Sequence, residues 1–89
     1  MLKISRTTQF KKDYKLMLKR NKDINKLDDV IIKLARGEKL EAKYKDHKLI
    51  GLYRDYRDCH IEPDWLLIYK IEEYEIIFVR TGSHSDLFE

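Results

Sequence analysis

Two of the chain's three histidines sit in runs crowded with ionisable and aromatic neighbours. His60 lies within Tyr56-Arg57-Asp58-Cys59-His60-Ile61-Glu62-Pro63-Asp64-Trp65, and His84 within Arg80-Thr81-Gly82-Ser83-His84-Ser85-Asp86-Leu87-Phe88. An unperturbed imidazole titrates at about 6.5, so it can take and give a proton near neutrality. His47 adds a third such group, and Asp64, Arg57 and Arg80 lie close to the other two in sequence. Proton-transfer groups beside cations are what an acid/base site acting on a phosphodiester requires. One group takes a proton from the nucleophile, another gives one to the leaving oxygen, and a cation stabilises the charge between them.

Other chemistries fit less well. His47, His60, Asp64 and His84 are ligand types that zinc accepts, but their spacing matches no HExxH or CxxC pattern, so no metal is assigned. Cys59 and His60 are adjacent, and on a regular strand they point to opposite faces, which argues against a thiolate activated by that imidazole. Gly37, Gly51 and Gly82 form no phosphate-cradling loop, and no cofactor is implied. Structural readings stand beside these: Trp65 as core, Arg57 and Arg80 as surface charges, and Gly82 as the end of a strand.

The elements that must position these residues can be read from periodicity. The chain of 89 residues is expected to form one domain, 1–89, with 43% hydrophobic and 39% charged residues, enough for a core and too apolar for a disordered chain. The 19 Lys and Arg against 16 Asp and Glu are interleaved, so the charge of +3 does not by itself identify a nucleic-acid partner. A lone cysteine, no membrane-length apolar run and no signal-peptide core point to the cytoplasm. Leu2 and Ile4 alternate as in a short strand over Met1 to Ser5. Thr7 or Thr8 can cap a helix carrying Phe10, Tyr14, Met17 and Leu18. A second helix from about Asp23 carries Ile24, Leu27, Val30, Ile31 and Leu34 on one stripe and stops at Gly37. The short link at Asn21 and Lys22 makes the two an antiparallel hairpin.

Beyond Gly37 the period becomes two, and Tyr56 to Ile61, Trp65 to Lys70 and Ile76 to Thr81 read as antiparallel strands. Asp58 and His60 should share one face, with Cys59 and Ile61 on the other; Ile77 and Val79 should oppose Phe78 and Arg80. The expected fold class is α+β: an N-terminal strand and a helical hairpin packed on one face of a small, mainly antiparallel sheet, the other face left open for chemistry.

Lys45-Asp46-His47 with Leu49 and Gly51, the run from Tyr56 to Trp65 leading into Leu67-Ile68-Tyr69-Lys70, and Arg80-Thr81-Gly82-Ser83-His84 with Leu87-Phe88 together resemble the YafQ branch of the RelE/ParE toxin superfamily. The resemblance runs nearly end to end and implies a RelE-like fold. It further implies a bacterial type II toxin that cleaves mRNA on the ribosome and is neutralised by a cognate antitoxin. That partner is expected to be of ribbon-helix-helix type with an acidic tail, and operator DNA to be met only through the complex. Family site residues fall on His47, His60, Asp64 and His84, with aromatic support at Trp65 and Phe88; Cys59 is not part of the pattern. The superfamily also holds gyrase-directed members, so a gyrase-directed or noncatalytic binding module of the same fold is the alternative.

RNA carries its own nucleophile in the 2′-hydroxyl, so cleavage needs no metal. The histidines and Asp64 supply the proton transfers, with Arg57 and Arg80 as the cations. Trp65 and Phe88 are placed to stack on bases, at roughly 1 to 3 kcal/mol each. Acid and base are not separated by sequence; the leaning is to His84 or His60 as acid, with Asp64 as base or as the orienter of an imidazole.

Overall fold

The computed structural model describes residues 1–50 and 55–88, so Gly51 of the quoted motif lies outside the described residues. The alternation at Leu2 and Ile4 becomes strand β1, Lys3–Arg6. Thr7, rather than Thr8, then caps helix α1 (Thr8–Lys19), its side-chain oxygen accepting from the Phe10 amide at 2.9 Å. Past the helix, Asn21 takes the left-handed conformation at φ 59°. The amides of Asn21 and Lys22 close onto the carbonyls of Leu18 and Met17, both at 3.0 Å. Asn tolerates this geometry better than most residues, and it turns the chain straight into α2 (Ile24–Ala35), capped by Asp23. The same closure ends α2: Gly37, at φ 77°, and Glu38 donate to Leu34 and Lys33.

The sheet runs β1-β5-β4-β3-β2, with β2 at His47–Lys48, β3 at Arg57–Glu62, β4 at Trp65–Glu72 and β5 at Glu75–Gly82. β1 pairs with β5 in parallel and the other neighbours are antiparallel. A 3-10 turn at Ala42–Tyr44 leads into β2, and helix α3, His84–Phe88, ends the fold. Among the described residues no helix is long and apolar enough to cross a membrane.

The helical stripes of α1 and α2 pack on one sheet face. Phe10, Met17, Leu27, Val30 and Ile31 share a core with Cys59, Ile61, Trp65, Leu67, Tyr69, Ile76 and Phe78. On the opposite face, Leu66 and Ile68 are buried beneath Leu87 of α3, with Leu49, Tyr56 and Val79 alongside. The face expected to be open is therefore partly roofed. The simple alternation expected along β5 also fails after Phe78. The ladder jumps from Tyr69 opposite Phe78 to Ile68 opposite Arg80, leaving Val79 as an extra residue. The bulge sets Phe78 and Thr81, three apart rather than two, on the helix side.

A buried polar knot joins the two layers where β5 ends. Asp13 of α1, 5% exposed, accepts from Arg80 Nε at 2.8 Å, Arg80 Nη2 at 3.2 Å and the Thr81 amide at 3.1 Å. The Thr81 hydroxyl accepts from the Trp65 indole N–H at 2.9 Å and donates to the Leu66 carbonyl at 2.7 Å. Thr81→Val keeps the shape but strands both partners. A buried group left without its hydrogen bond costs about 1 to 3 kcal/mol. Denaturant titration should show the variant less stable by that order with m unchanged, whereas wild-type stability would mean the knot contributes nothing net.

Candidate active site

Ser83 and Asp86 start α3 by capping each other. The Ser83 hydroxyl accepts from the Asp86 amide at 3.1 Å, and the Asp86 carboxylate accepts from the Ser83 amide at 2.9 Å. Asp86 also takes two bonds from Arg20 at the end of α1, at 2.7 and 3.2 Å. Those bonds, Arg20's first and the Ser83 amide's next, hold its carboxyl well below the usual carboxylate range. Gly82 does more than end a strand here. A Cβ at that position would stand 2.9 Å from the Asp86 carboxylate, so only glycine lets the cap close this tightly.

His84 is the first residue of α3, and Asp64 in the β3–β4 turn grips it twice. One carboxylate oxygen accepts from the His84 amide at 2.9 Å and lies 2.6 Å from the ring Nδ1. The backbone bond foremost, then the ring, lowers the Asp64 pKa, so this carboxylate stays ionised and accepts the Nδ1 proton. The imidazole is thereby oriented with Nε2 turned away from Asp64. His60, on β3, presents its ring nearly edge-on to His84, with centroids 5.6 Å apart. Phe88, one helical turn on, has its ring 6.5 Å from that of His84 and is 43% exposed.

His47 reaches the same face from β2, where the register sets it opposite Asp58. Its Nε2 lies 3.0 Å from Asp58 Oδ1, and its Nδ1 lies 2.7 Å from the Lys45 carbonyl. Asp58 is 4% exposed, and burial raises its pKa, opposed electrostatically by the imidazoles of His47, then His60, then His84. Sequence reasoning placed Asp58 on the histidine face by alternation but gave it no role; the signal was its two-residue spacing from His60.

The structure thus draws His60, His84, Asp64 and Phe88 into one group, with His47 joined through Asp58. Two expectations need correction. Trp65 is 0% exposed and hydrogen-bonded inside the helix-side core, so it has no face to offer a base; its position after a turn misleads, because the strand's parity turns it inward. Arg57 alternates with Cys59 and Ile61 and so points away from His60. It bonds Asp46 at 3.2 Å, whose same oxygen accepts from the Tyr69 hydroxyl at 2.5 Å. Arg57 therefore pins the residue before His47 rather than lining the histidine group. Arg80 is held by Asp13, and its register partner Ile68 also pairs with Asp58. Cys59 is buried on the helix side, and burial pushes its thiol up, so it is inert.

Two adjacent imidazoles, one oriented by a carboxylate, are equipped for paired proton transfers at a surface that a polymer can reach. The family model for the bacterial toxin of type II toxin-antitoxin system, YafQ, matches residues 2–89. The mRNA interferase toxin YafQ of Escherichia coli strain K12 is 49% identical over 81 residues, 90% of this chain and 88% of that protein. The crystal structure of the E. coli DinJ-YafQ complex contains a chain 46% identical with a TM-score of 0.94, both chains covered in full. A copper-bound mutant toxin from Helicobacter pylori matches with a TM-score of 0.95 at 40% identity, covering 99% of this chain and 100% of that one. With the family model and a relative this similar both spanning nearly the whole chain, the protein belongs to the YafQ family of bacterial type II toxin-antitoxin toxins.

Proposed function

We propose that this toxin acts as a single domain, 1–89, in the cytoplasm as an endoribonuclease that cuts mRNA on the ribosome without a catalytic metal. The observation that carries the reading is the pair of imidazoles, His60 and His84, 5.6 Å apart on an accessible face, with His84 aimed by Asp64. In-line attack of a 2′-hydroxyl on the adjacent phosphorus forms a P–O2′ bond and breaks P–O5′. One group removes the 2′ proton and another protonates the departing 5′-oxygen. Asp64 serves as the orienter rather than the base, since its depressed pKa makes it a weak proton acceptor. His84 is assigned as acid through Nε2, with His60 or His47 as base. Arg80 supplies charge toward the phosphorane, and Phe88 is the aromatic surface left to stack on a base. The name mRNA interferase, carried by the E. coli relative, supports the same activity here.

Metal independence rests on the chemistry of the substrate, which brings its own nucleophile. Among the described residues no group of three or more His, Cys, Asp or Glu side chains is disposed to hold an ion. The copper-bound relative makes the point worth testing directly. Neutralisation is proposed to come from a cognate antitoxin, a ribbon-helix-helix protein with an acidic segment that folds on binding and through which operator DNA is met. The E. coli relative's complex with DinJ supports such a partner. With Trp65 buried, an apolar residue of that segment is proposed to anchor on Phe88.

Changing His84, His60 or Asp64 to alanine should each lower cleavage of a translated message by at least about tenfold while circular dichroism stays unchanged. A folded triple variant cutting at the parental rate removes the assignment. EDTA should leave cleavage intact in an assay whose magnesium is restored to hold ribosomes together; loss that copper or zinc alone repairs would establish a metal role. Co-expression with the neighbouring gene's product should give a stable complex without cleavage, and its association should slow as salt is raised. A stable complex that still cuts refutes neutralisation.

A further inference from the structure

We propose that Asp58 is a positioning residue for the reaction, binding the Nε2 side of His47 so that this ring and the Asp58 carboxylate together hold one proton. The proposal rests on the ribonuclease reading for its consequences in catalysis, and on hydrogen-bond accounting for its physical content. His47 Nδ1 lies 2.7 Å from the Lys45 carbonyl, an acceptor only, so that nitrogen carries a hydrogen. Its Nε2 lies 3.0 Å from Asp58 Oδ1. If Asp58 is ionised, that oxygen is also an acceptor, and two lone pairs cannot face one another at this distance. A proton therefore sits between them, and Nε2 carries it, since an imidazole is ordinarily the stronger base of the two.

The surroundings agree with this accounting. Among the described residues, the buried Asp58 Oδ1 has no other hydrogen-bond partner, so the His47 ring is the group left to supply one. A buried oxygen in that position is costly unless a proton is near. The charged and titratable groups facing Asp58 are His47 from β2, His60 from β3 and His84 from α3, with Asp46 opposing them from the loop before β2. Its β4 register partner, Ile68, is apolar. His47 itself is half exposed on a two-residue strand, too short to hold a ring in place by backbone pairing alone. Two contacts hold that strand from opposite faces of the sheet: Arg57 and Tyr69 on Asp46, and Asp58 on His47.

The test compares the wild type with the nearly isosteric Asp58→Asn. Long-range nitrogen–proton NMR of labelled toxin reads the ring directly, whether or not the protein cleaves. His47 should show protons on both nitrogens at a pH where the variant shows only the Nδ1 proton. In the ribosomal assay the pH–rate limb that depends on His47 should move to lower pH by about one unit, the smallest shift expected from losing a carboxylate in contact. The change should fall on kcat rather than KM. The same Asp58→Asn change made in a His47→Gln background should leave the pH profile where His47→Gln alone puts it. An unchanged ring pattern in Asp58→Asn overturns the proposal, as does a limb that stays in place or one that moves equally without His47. If the ring responds as expected but the wild type cuts no message, the ribonuclease reading fails and the Asp58–His47 pairing stands.

Discussion

The Asp13 carboxylate is the constraint on which the positions of the other parts depend. Removing a carboxylate from water costs several kcal/mol unless charge and donors replace the lost hydration. Here Arg80, the Thr81 amide and Gln9 all donate to it. The bonds from Arg80 and Thr81 cannot be made unless α1 lies across the end of β5 with the Val79 bulge in place, because regular alternation would not bring Thr81 to the helix side. Thr81 then extends the knot into β4 through Trp65 and Leu66. The last residues of β5 are thus held from two elements, and the chain leaves the sheet at Gly82 in a fixed direction, two residues before His84.

Two histidine–carboxylate pairs use opposite physics. Asp64 and His84 are both well exposed, so their pairing contributes little to stability, as surface ion pairs generally do. Its effect is orientation: the backbone bond to the same oxygen leaves the ring few ways to turn. Asp58 is buried while His47 stands half in solvent. There the low dielectric around the carboxylate strengthens its pull on a proton, and the His47 ring is the partner that its buried Oδ1 is left with. One pair aims a ring, and the other is suited to setting a ring's charge.

The helical half was legible because its signals are local. Thr7, Asn21, Asp23 and Gly37 each act through bonds within a few residues, so caps and turns could be read almost position by position. Strand parity likewise placed Asp58 and His60 opposite Cys59 and Ile61. What was not legible depended on residues distant in sequence. Trp65 follows a turn, but only the partner at Thr81 decides that its indole is buried. Arg57 resembles a phosphate-binding cation until Asp46 and Tyr69 close around it. The Val79 bulge has no glycine to mark it. Helix α3 could have been anticipated, since Ser83 and Asp86 have capping-box spacing, but five residues fall far below the length at which a periodic pattern can be recognised.

That short length makes α3 the most dependent element of the fold. An isolated helix of five residues is not stable in water, since nucleation fixes several dihedrals before enough hydrogen bonds form to offset the loss. Beyond its own capping box, what holds it is tertiary: Arg20 on Asp86, Asp64 on the first amide, and Leu87 against Leu66 and Ile68. The Ser83–Asp86 box closes only because Gly82 leaves space for the carboxylate. These same contacts set the direction of His84 and bring its ring to His60. Formation of the helix and assembly of the histidine pair are therefore a single event, and a change that loosens Asp86 acts on the site although Asp86 itself faces Arg20 and Ser83 rather than the imidazoles.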